Sequence, residues 1–498
     1  MKAVQEALET LPAALRDALT KEHLPGVAAV LVQDGELIFA GGEGQADVAR
    51  GTAVTAQTVF RIASISKTFA AVALMQLWEQ GAFDLHEPVN KYLKAFKLEH
   101  RGSQPVTFHH LLTHTAGLGE FNSLWEYLNP RAHFNVVRPD RPVPALRHLY
   151  GATLKAERPA GEKWCYANNG YATIGQLVAD ISGQSFAEYT RAHIFAPLGM
   201  ETADFQRSAR VKPGLAIGYS YKAKQQRFKP VIDLEQVTTA AGAMYASVTD
   251  MGRYMAALMG HGRNAFGQIL KPETLQLMFT PQYQLDPRLQ GMGYGFKIDD
   301  WGENRVVSHD GLWLGFVSSM FVAPEAGVGV VVLTNRASSA VIGTARRLLQ
   351  RALAYNPRPL KSSGDAPLPD TPERWPELVG YYSPPPGFNT NFRLWQAFGN
   401  EFEVYVADGA LRIRALWGSM AKGYALKRAD PADPLAFSVG LEPFIFRRGA
   451  DGRMVLLKDM NAFYRLPEGA SRGVKAWIRP FGAFLKRIDA RLDAYRTR

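Results

Sequence analysis

Cysteine is nearly absent: Cys165 is the one thiol in 498 residues. No intrachain disulfide can hold the fold, and a cysteine-rich zinc site is excluded. There is no Walker A loop, no G-x-G-x-x-G, no H-E-x-x-H and no G-x-S-x-G elbow, so nucleotide binding and zinc hydrolysis lose most of their support. No run approaches eighteen uninterrupted apolar residues. The most hydrophobic stretch, Val328 to Leu333, has the length and β-branched content of a strand, which argues against a membrane span. The first twenty residues carry Glu6, Glu9, Arg16 and Asp17 among small apolar residues, and read as an amphipathic helix rather than a signal peptide. As it stands the sequence implies a cytoplasmic protein, or a periplasmic one if a signal was trimmed. With 45 glycines and 30 prolines, low-complexity and collagen-like structure are also excluded.

The composition that remains, 47% hydrophobic and 21% charged, is globular, and the length exceeds what one core usually serves. Lys and Arg exceed Asp and Glu to leave a formal charge of +11. Its distribution is uneven. Residues 469–498 hold eight basic side chains against Asp489 and Asp493, so +6 of the +11 sits there. The rest of the chain gives no hint of nucleic acid.

Four segments follow. Residues 1–355 mix strands and helices. Two apolar runs flank Asp34-Gly35, and Phe316 to Val322 and Val328 to Leu333 flank a Pro324 to Gly327 turn, giving a hairpin near each end of the segment. Helical patterns lie between them at Thr68 to Gln80, Tyr171 to Ser182 and Met251 to Met259. The expected class is α+β, an antiparallel sheet built from both ends and flanked by helices. Residues 356–376, with six prolines, read as a linker. Short β-like runs at 377–468 suggest a small antiparallel β-barrel. In the tail, 469–498, apolar residues from Val474 to Tyr495 recur every three or four positions. Such a basic amphipathic helix either contacts an anionic membrane surface or docks on the catalytic domain.

Chemistry concentrates in Ser64-Ile-Ser-Lys67. A serine one helical turn before a lysine shares a face with it. A lysine with a depressed pKa can serve as the base that removes the hydroxyl proton, and free N–H groups at a helix start can stabilise an oxyanion. Ser419-Met-Ala-Lys422 repeats the spacing between Gly418 and Gly423, where no helix follows, and reads as a surface turn. His110 and His114 lack an acidic companion; Thr107 capping a short helix that ends near Gly117 explains that segment better.

The block Phe60 to Phe69, followed by Gly81 to Tyr92, Thr107 to Leu118, Pro197 to Met200 and Val332 to Asn335, resembles the serine β-lactamase and penicillin-binding protein superfamily in its class C-like branch. The resemblance covers roughly residues 20–350. It implies that Tyr166 of Tyr166-Ala-Asn168 shuttles the proton between Ser64 and the leaving group, assisted by Lys67, while Asn168 binds the substrate amide or the lysine. A second copy, Tyr127-Leu-Asn129, runs into Pro130 and is set aside. The family's Lys-Thr-Gly is absent. His309-Asp310-Gly311 takes its place before a strand, so His309 and Asp310 fall in the substrate wall, Gly311 permits close approach and the Leu312 N–H serves as an oxyanion donor. A histidine anchors a carboxylate more weakly than a lysine at neutral pH, which favours ester or small peptide and amide substrates over β-lactams. Arg336 either supplies the missing cation or is a surface arginine. The aromatic stretch from Glu120 to Tyr150, with Phe121, Trp125, Tyr127 and Phe134, either forms a pocket wall or lid or simply packs. Residues 377–468 resemble a lipocalin-like domain appended to some homologues. The implied activity is a serine hydrolase without cofactor or metal, whose oligomeric state stays open; the alternative is a β-lactamase or a penicillin-binding receptor with slow deacylation.

Overall fold

A strand buried on both faces must be apolar at every position, and Gly26 to Val32 is such a run. In the computed structural model it lies in the middle of a layered fold. The structure describes residues 2–120, 135–139, 141–357, 368–384, 401–415 and 419–467; Phe121, Trp125, Tyr127, Asn129, Phe134 and the basic tail lie outside them. Two compact units are present, Met1–Gln282 with Met292–Asn356, and Tyr283–Gly291 with Pro357–Arg498.

The first unit is built on strands β1 (Gly26–Gln33), β2 (Glu36–Asp47), β3 (Thr52–Ala53), β4 (Gly291–Met292), β5 (Lys297–Trp301), β6 (Asn304–Trp313), β7 (Phe316–Ala323) and β8 (Val328–Thr334), in the order β4-β5-β6-β7-β8-β1-β2-β3. The two expected hairpins meet in the middle. β1 pairs antiparallel with β8, Val30 opposite Val331. Asp34 and Gly35 both have positive φ, 50° and 84°, the type I′ geometry that matches strand twist. Val27, Ala29 and Leu31 face helices α1 (Lys2–Lys21) and α5 (Ala340–Ala352), while Ala28, Val30 and Val32 face the opposite helical layer. α1 buries Val4, Ala7, Leu11, Leu15 and Ala18, the spacing of an amphipathic helix.

The opposite layer holds α2 (Ser66–Glu79), α3 (Asn168–Ser182) and α4 (Val248–Met259). The sequence pattern suggests one apolar side on α2, yet every residue from Ser66 to Leu77 is buried. A helix apolar all round runs through an interior, and α2 is covered by α3 and by the short helix Thr239–Gly242.

In the second unit nine strands run β12-β11-β10-β9-β17-β16-β15-β14-β13, from β9 (Gly380–Ser383), β10 (Phe402–Ala407), β11 (Ala410–Ala415), β12 (Tyr424–Ala425), β13 (Lys427–Arg428), β14 (Ala436–Val439), β15 (Glu442–Arg448), β16 (Met454–Lys458) and β17 (Asn461–Arg465). The two edge strands, β12 and β13, are separated in sequence by Leu426 alone, so the barrel is nearly closed and little edge remains exposed. Trp375, at the end of the proline-rich stretch, is buried in the barrel core with Leu378 and Phe446. The unit also takes in residues 283–291, which sequence patterning does not set apart. Leu289 packs with Ala436 and Ile445, and Arg288 donates to Asp286, Asp430 and Asp433. Among the described residues no helix is long and apolar enough to cross a membrane.

Candidate active site

Ser64 occupies a single 3-10 turn, Ala63–Ile65, that leads straight into α2. Ala63 has φ of 48°, a conformation that costs an alanine on the order of 1 kcal/mol and persists only where its surroundings impose it. They do so from several sides. The Ile62 N–H donates to the Met244 carbonyl at 3.0 Å, Ser318 Oγ donates to the Ile62 carbonyl at 2.6 Å, and the Met244 N–H donates to Ser66 Oγ at 3.1 Å. Just upstream, Arg61 is fully buried, ion-paired with Asp233 at 2.7 Å and stacked over Tyr245. Four buried attachments thus fix where the serine stands.

One turn on, Lys67 has no exposed surface. Its Nζ donates to Ser64 Oγ at 3.0 Å, Asn168 Oδ1 at 2.8 Å and the Ala241 carbonyl at 2.6 Å. It also lies 4.8 Å from the Tyr166 ring centre and 5.8 Å from that of Tyr171, within cation–π range. Tyr166 and Asn168 converge on the lysine for a local reason. Ala167, the residue capping α3, is extended, so the side chains on either side of it emerge in the same direction. His114 supports them from behind. Its helix, Phe108–Leu112, begins with a Thr107–His110 capping box, as the sequence suggests, but stops before Gly117 because His114 adopts φ of 59°. His114 then accepts the Ala167 N–H at 3.2 Å and stacks on Tyr166 at 4.4 Å. Sequence reasoning missed this role.

The facing wall is β6. Its register with β5 runs from Asn304 opposite Trp301 to Ser308 opposite Lys297. On its other edge it pairs with β7 from Val307 to Trp313. Gly311 sits against the Ser64 turn so closely that a Cβ there would stand 2.2 Å from the Ile62 carbonyl oxygen and 3.1 Å from Ala63 Cβ. Next to it, Leu312 leaves 66% of its surface exposed. His309 is buried beside this cluster, its ring 6.5 Å from that of Tyr166. Burial first, then the Lys67 and Lys297 ammonium groups, push its imidazole down to about 3, so it is neutral at physiological pH. Its Nδ1 lies 2.8 Å from the Asp310 carbonyl. A carbonyl only accepts, so Nδ1 carries the proton and Nε2 is an acceptor.

Asp310 turns to the other side of the strand, accepting from Ser319 Oγ at 2.7 Å and Lys297 Nζ at 3.1 Å. Burial works against its charge, but Lys297 and Ser319 outweigh it and hold the carboxyl below its usual range. Lys297, also missed from sequence, is therefore the cation beside this motif. Arg336 is not: it lies over the Tyr221 ring and donates to the Glu22 carbonyl. Ser419–Lys422 forms a single 3-10 turn in the other unit. Among the described residues no cluster of His, Cys, Asp and Glu could hold a metal ion.

The beta-lactamase family model matches residues 8–355, and the chain belongs to that family. Esterase EstB of Burkholderia gladioli is 28% identical over 368 residues, which span 67% of this chain and 91% of that one. The octameric penicillin-binding protein homologue from Pyrococcus abyssi shares the fold, with a TM-score of 0.60 at 24% identity over 92% of this chain and 99% of its own. SurE superimposes with a TM-score of 0.63 at 21% identity, covering 93% of this chain and all of its own.

Proposed function

We propose that the chain is a serine hydrolase that works through an acyl-enzyme on Ser64 and takes ester or small peptide and amide substrates. The observation that carries this reading is the fully buried Lys67 ammonium 3.0 Å from Ser64 Oγ. Ser64 Oγ attacks the substrate carbonyl while its proton passes to Tyr166, whose phenolate form is favoured by the adjacent ammonium. The N–H groups of Ser64 and Leu312 take the oxyanion. Tyr166 then hands the proton to the leaving group, the acyl group stays on Ser64, and water hydrolyses the ester bond so formed. Asn168 holds Lys67 and the substrate amide, and the exposed Leu312 side chain offers an apolar edge for the substrate. EstB, an esterase by name, supports the ester reading.

β-Lactams rank lower because His309 is neutral at pH 7 and offers no charge for their carboxylate. Replacing Ser64→Ala is expected to abolish hydrolysis of a p-nitrophenyl ester; wild-type rates in that variant would sink the mechanism. The second reading, a penicillin-binding receptor with slow deacylation, draws on the penicillin-binding homologue that shares the fold. Mass spectrometry after incubation with penicillin separates the two: a persistent adduct on Ser64 favours the receptor, and fast turnover of the ester without one favours the esterase.

A further inference from the structure

Beyond the lysine lies a buried carboxylate. Glu120 retains only 9% of its surface, and one of its oxygens, Oε1, accepts both the Asn168 Nδ2 at 2.7 Å and the Asn168 backbone N–H at 3.2 Å. A carboxylate has no proton to donate, so it dictates which way the Asn168 amide points: NH2 toward Glu120, oxygen toward Lys67. The contacts form a continuous chain, Ser64 Oγ to Lys67 Nζ to Asn168 amide to Glu120 carboxylate. Turned the other way, the amide would set its NH2 against the lysine ammonium, donor against donor.

The same carboxylate supplies a negative charge one amide away from Lys67. Other groups facing the lysine include Ser64 from its 3-10 turn, the Tyr166 and Tyr171 rings from α3 and the segment before it, the Ala241 carbonyl and the His309 imidazole of β6. Of these, Tyr171, whose phenol burial keeps protonated, and His309 are uncharged at neutral pH. Tyr150 is one titratable group near Glu120; burial first and then the Glu120 charge keep its phenol protonated.

We propose that Glu120 is a positioning residue of the hydrolytic site, which through Asn168 fixes the amide oxygen on Lys67 and keeps that lysine an ammonium. The inference rests on Ser64 and Lys67 acting as nucleophile and proton-handling partner. Glu120→Gln retains an oxygen that can face Asn168 and removes only the charge. Glu120→Ala removes both.

The test compares wild type, Ser64→Ala, Glu120→Gln and Glu120→Ala in hydrolysis of p-nitrophenyl acetate across pH, with thermal unfolding as a check on folding. Losing the anion makes Lys67 shed its proton at lower pH, so in Glu120→Gln the alkaline limb of kcat/KM is expected to move down by about one pH unit. At neutral pH kcat should fall about tenfold with KM within roughly threefold, and Glu120→Ala should fall about tenfold further. A Glu120→Gln profile that superimposes on wild type, whatever its height, overturns the proposal, as does an alkaline limb displaced upward. A Ser64→Ala variant that still turns over the ester sinks the hydrolase reading instead. Inactive Ser64→Ala together with an unshifted Glu120→Gln profile leaves that reading intact and removes Glu120 alone.

Discussion

Two lysines flank the candidate nucleophile, and the protein treats their charges differently. Lys67 is sealed from solvent and aimed at Ser64, its hydrogen bonds going to the serine hydroxyl, an amide oxygen and a backbone carbonyl. Lys297 keeps a quarter of its side chain exposed and is matched against the Asp310 carboxylate. On the first wall a charge is held where it can act on a proton; on the second the strand pairs cation with anion and adds a neutral histidine. The field is thus concentrated on the serine, while the strand side is close to charge-balanced. Rigidity follows the same division, since the serine turn is pinned by Met244, Ser318 and Gly311 while Leu312 projects into solvent.

The largest expected effect breaks the seam between the walls. In Gly311→Ala the new methyl group would meet the Ile62 oxygen at 2.2 Å and Ser318 Oγ at 2.3 Å. The serine oxygen can rotate away, but the backbone carbonyl cannot, so the nucleophile turn must shift. Misplacing a nucleophile by even about 1 Å costs on the order of a hundredfold in rate. A kcat/KM for p-nitrophenyl acetate at least a hundredfold below wild type is expected, in a protein whose circular dichroism is unchanged. Activity within threefold of wild type would mean that the strand and the turn are not tightly coupled.

Much of this seam is written in the sequence, for reasons that also explain what is not. The hairpins around Asp34-Gly35 and Pro324 to Gly327, and the Ser64 to Lys67 spacing, are local signals carried by residues within a turn of each other. The same holds for Tyr166 and Asn168, whose convergence depends on one extended residue between them. Glu120 meets Asn168 across 48 positions, and Lys297 meets Asp310 across 13 positions and a strand turn; no periodicity announces such pairs. His114 follows the same rule, since its left-handed backbone, not its spacing from His110, turns it toward Tyr166. α2 looks one-sided in sequence because a pattern cannot reveal how many neighbours will cover a helix. The excursion of residues 283–291 into the second unit is equally silent, being fixed by Arg288 and carboxylates more than 140 residues away.

The next effect sharpens the contrast through stability. An unfolded histidine binds a proton near pH 6.5, whereas His309 in the fold resists until about 3. Between those values the unfolded state holds the extra proton, so this residue draws stability down as pH falls below 6.5, and costs nothing above it. Replacing His309→Asn removes that dependence. Relative to its own stability at pH 7.5, wild type should lose roughly 2–3 kcal/mol more than His309→Asn by pH 4.5. Denaturant unfolding at the two pH values measures it. His109, pushed down to about 4 mainly by burial, acts in the same direction in both proteins and cancels in the comparison. Equal losses in both would mean that His309 is protonated in the folded protein well above pH 4.5.

The smallest effect asks whether the second wall can be made to resemble the first. In Asp310→Asn the Lys297 ammonium loses its counter-charge while the side chain keeps an oxygen for Ser319. The change leaves one net positive charge at the strand, partly screened because Lys297 reaches solvent. A substrate bearing a carboxylate, such as the p-nitrophenyl half-ester of succinate, should then bind better, with KM lowered by about threefold to tenfold at low ionic strength. The neutral p-nitrophenyl acetate should be nearly indifferent, and the gain should shrink in 0.5 M salt, where the Debye length is about 4 Å. Lys297→Met tests the converse, since it leaves Asp310 uncompensated and should raise KM for the anionic ester above wild type. If both esters respond alike to both substitutions, the pair only props the strand, and the neutrality of this wall has no part in choosing substrates.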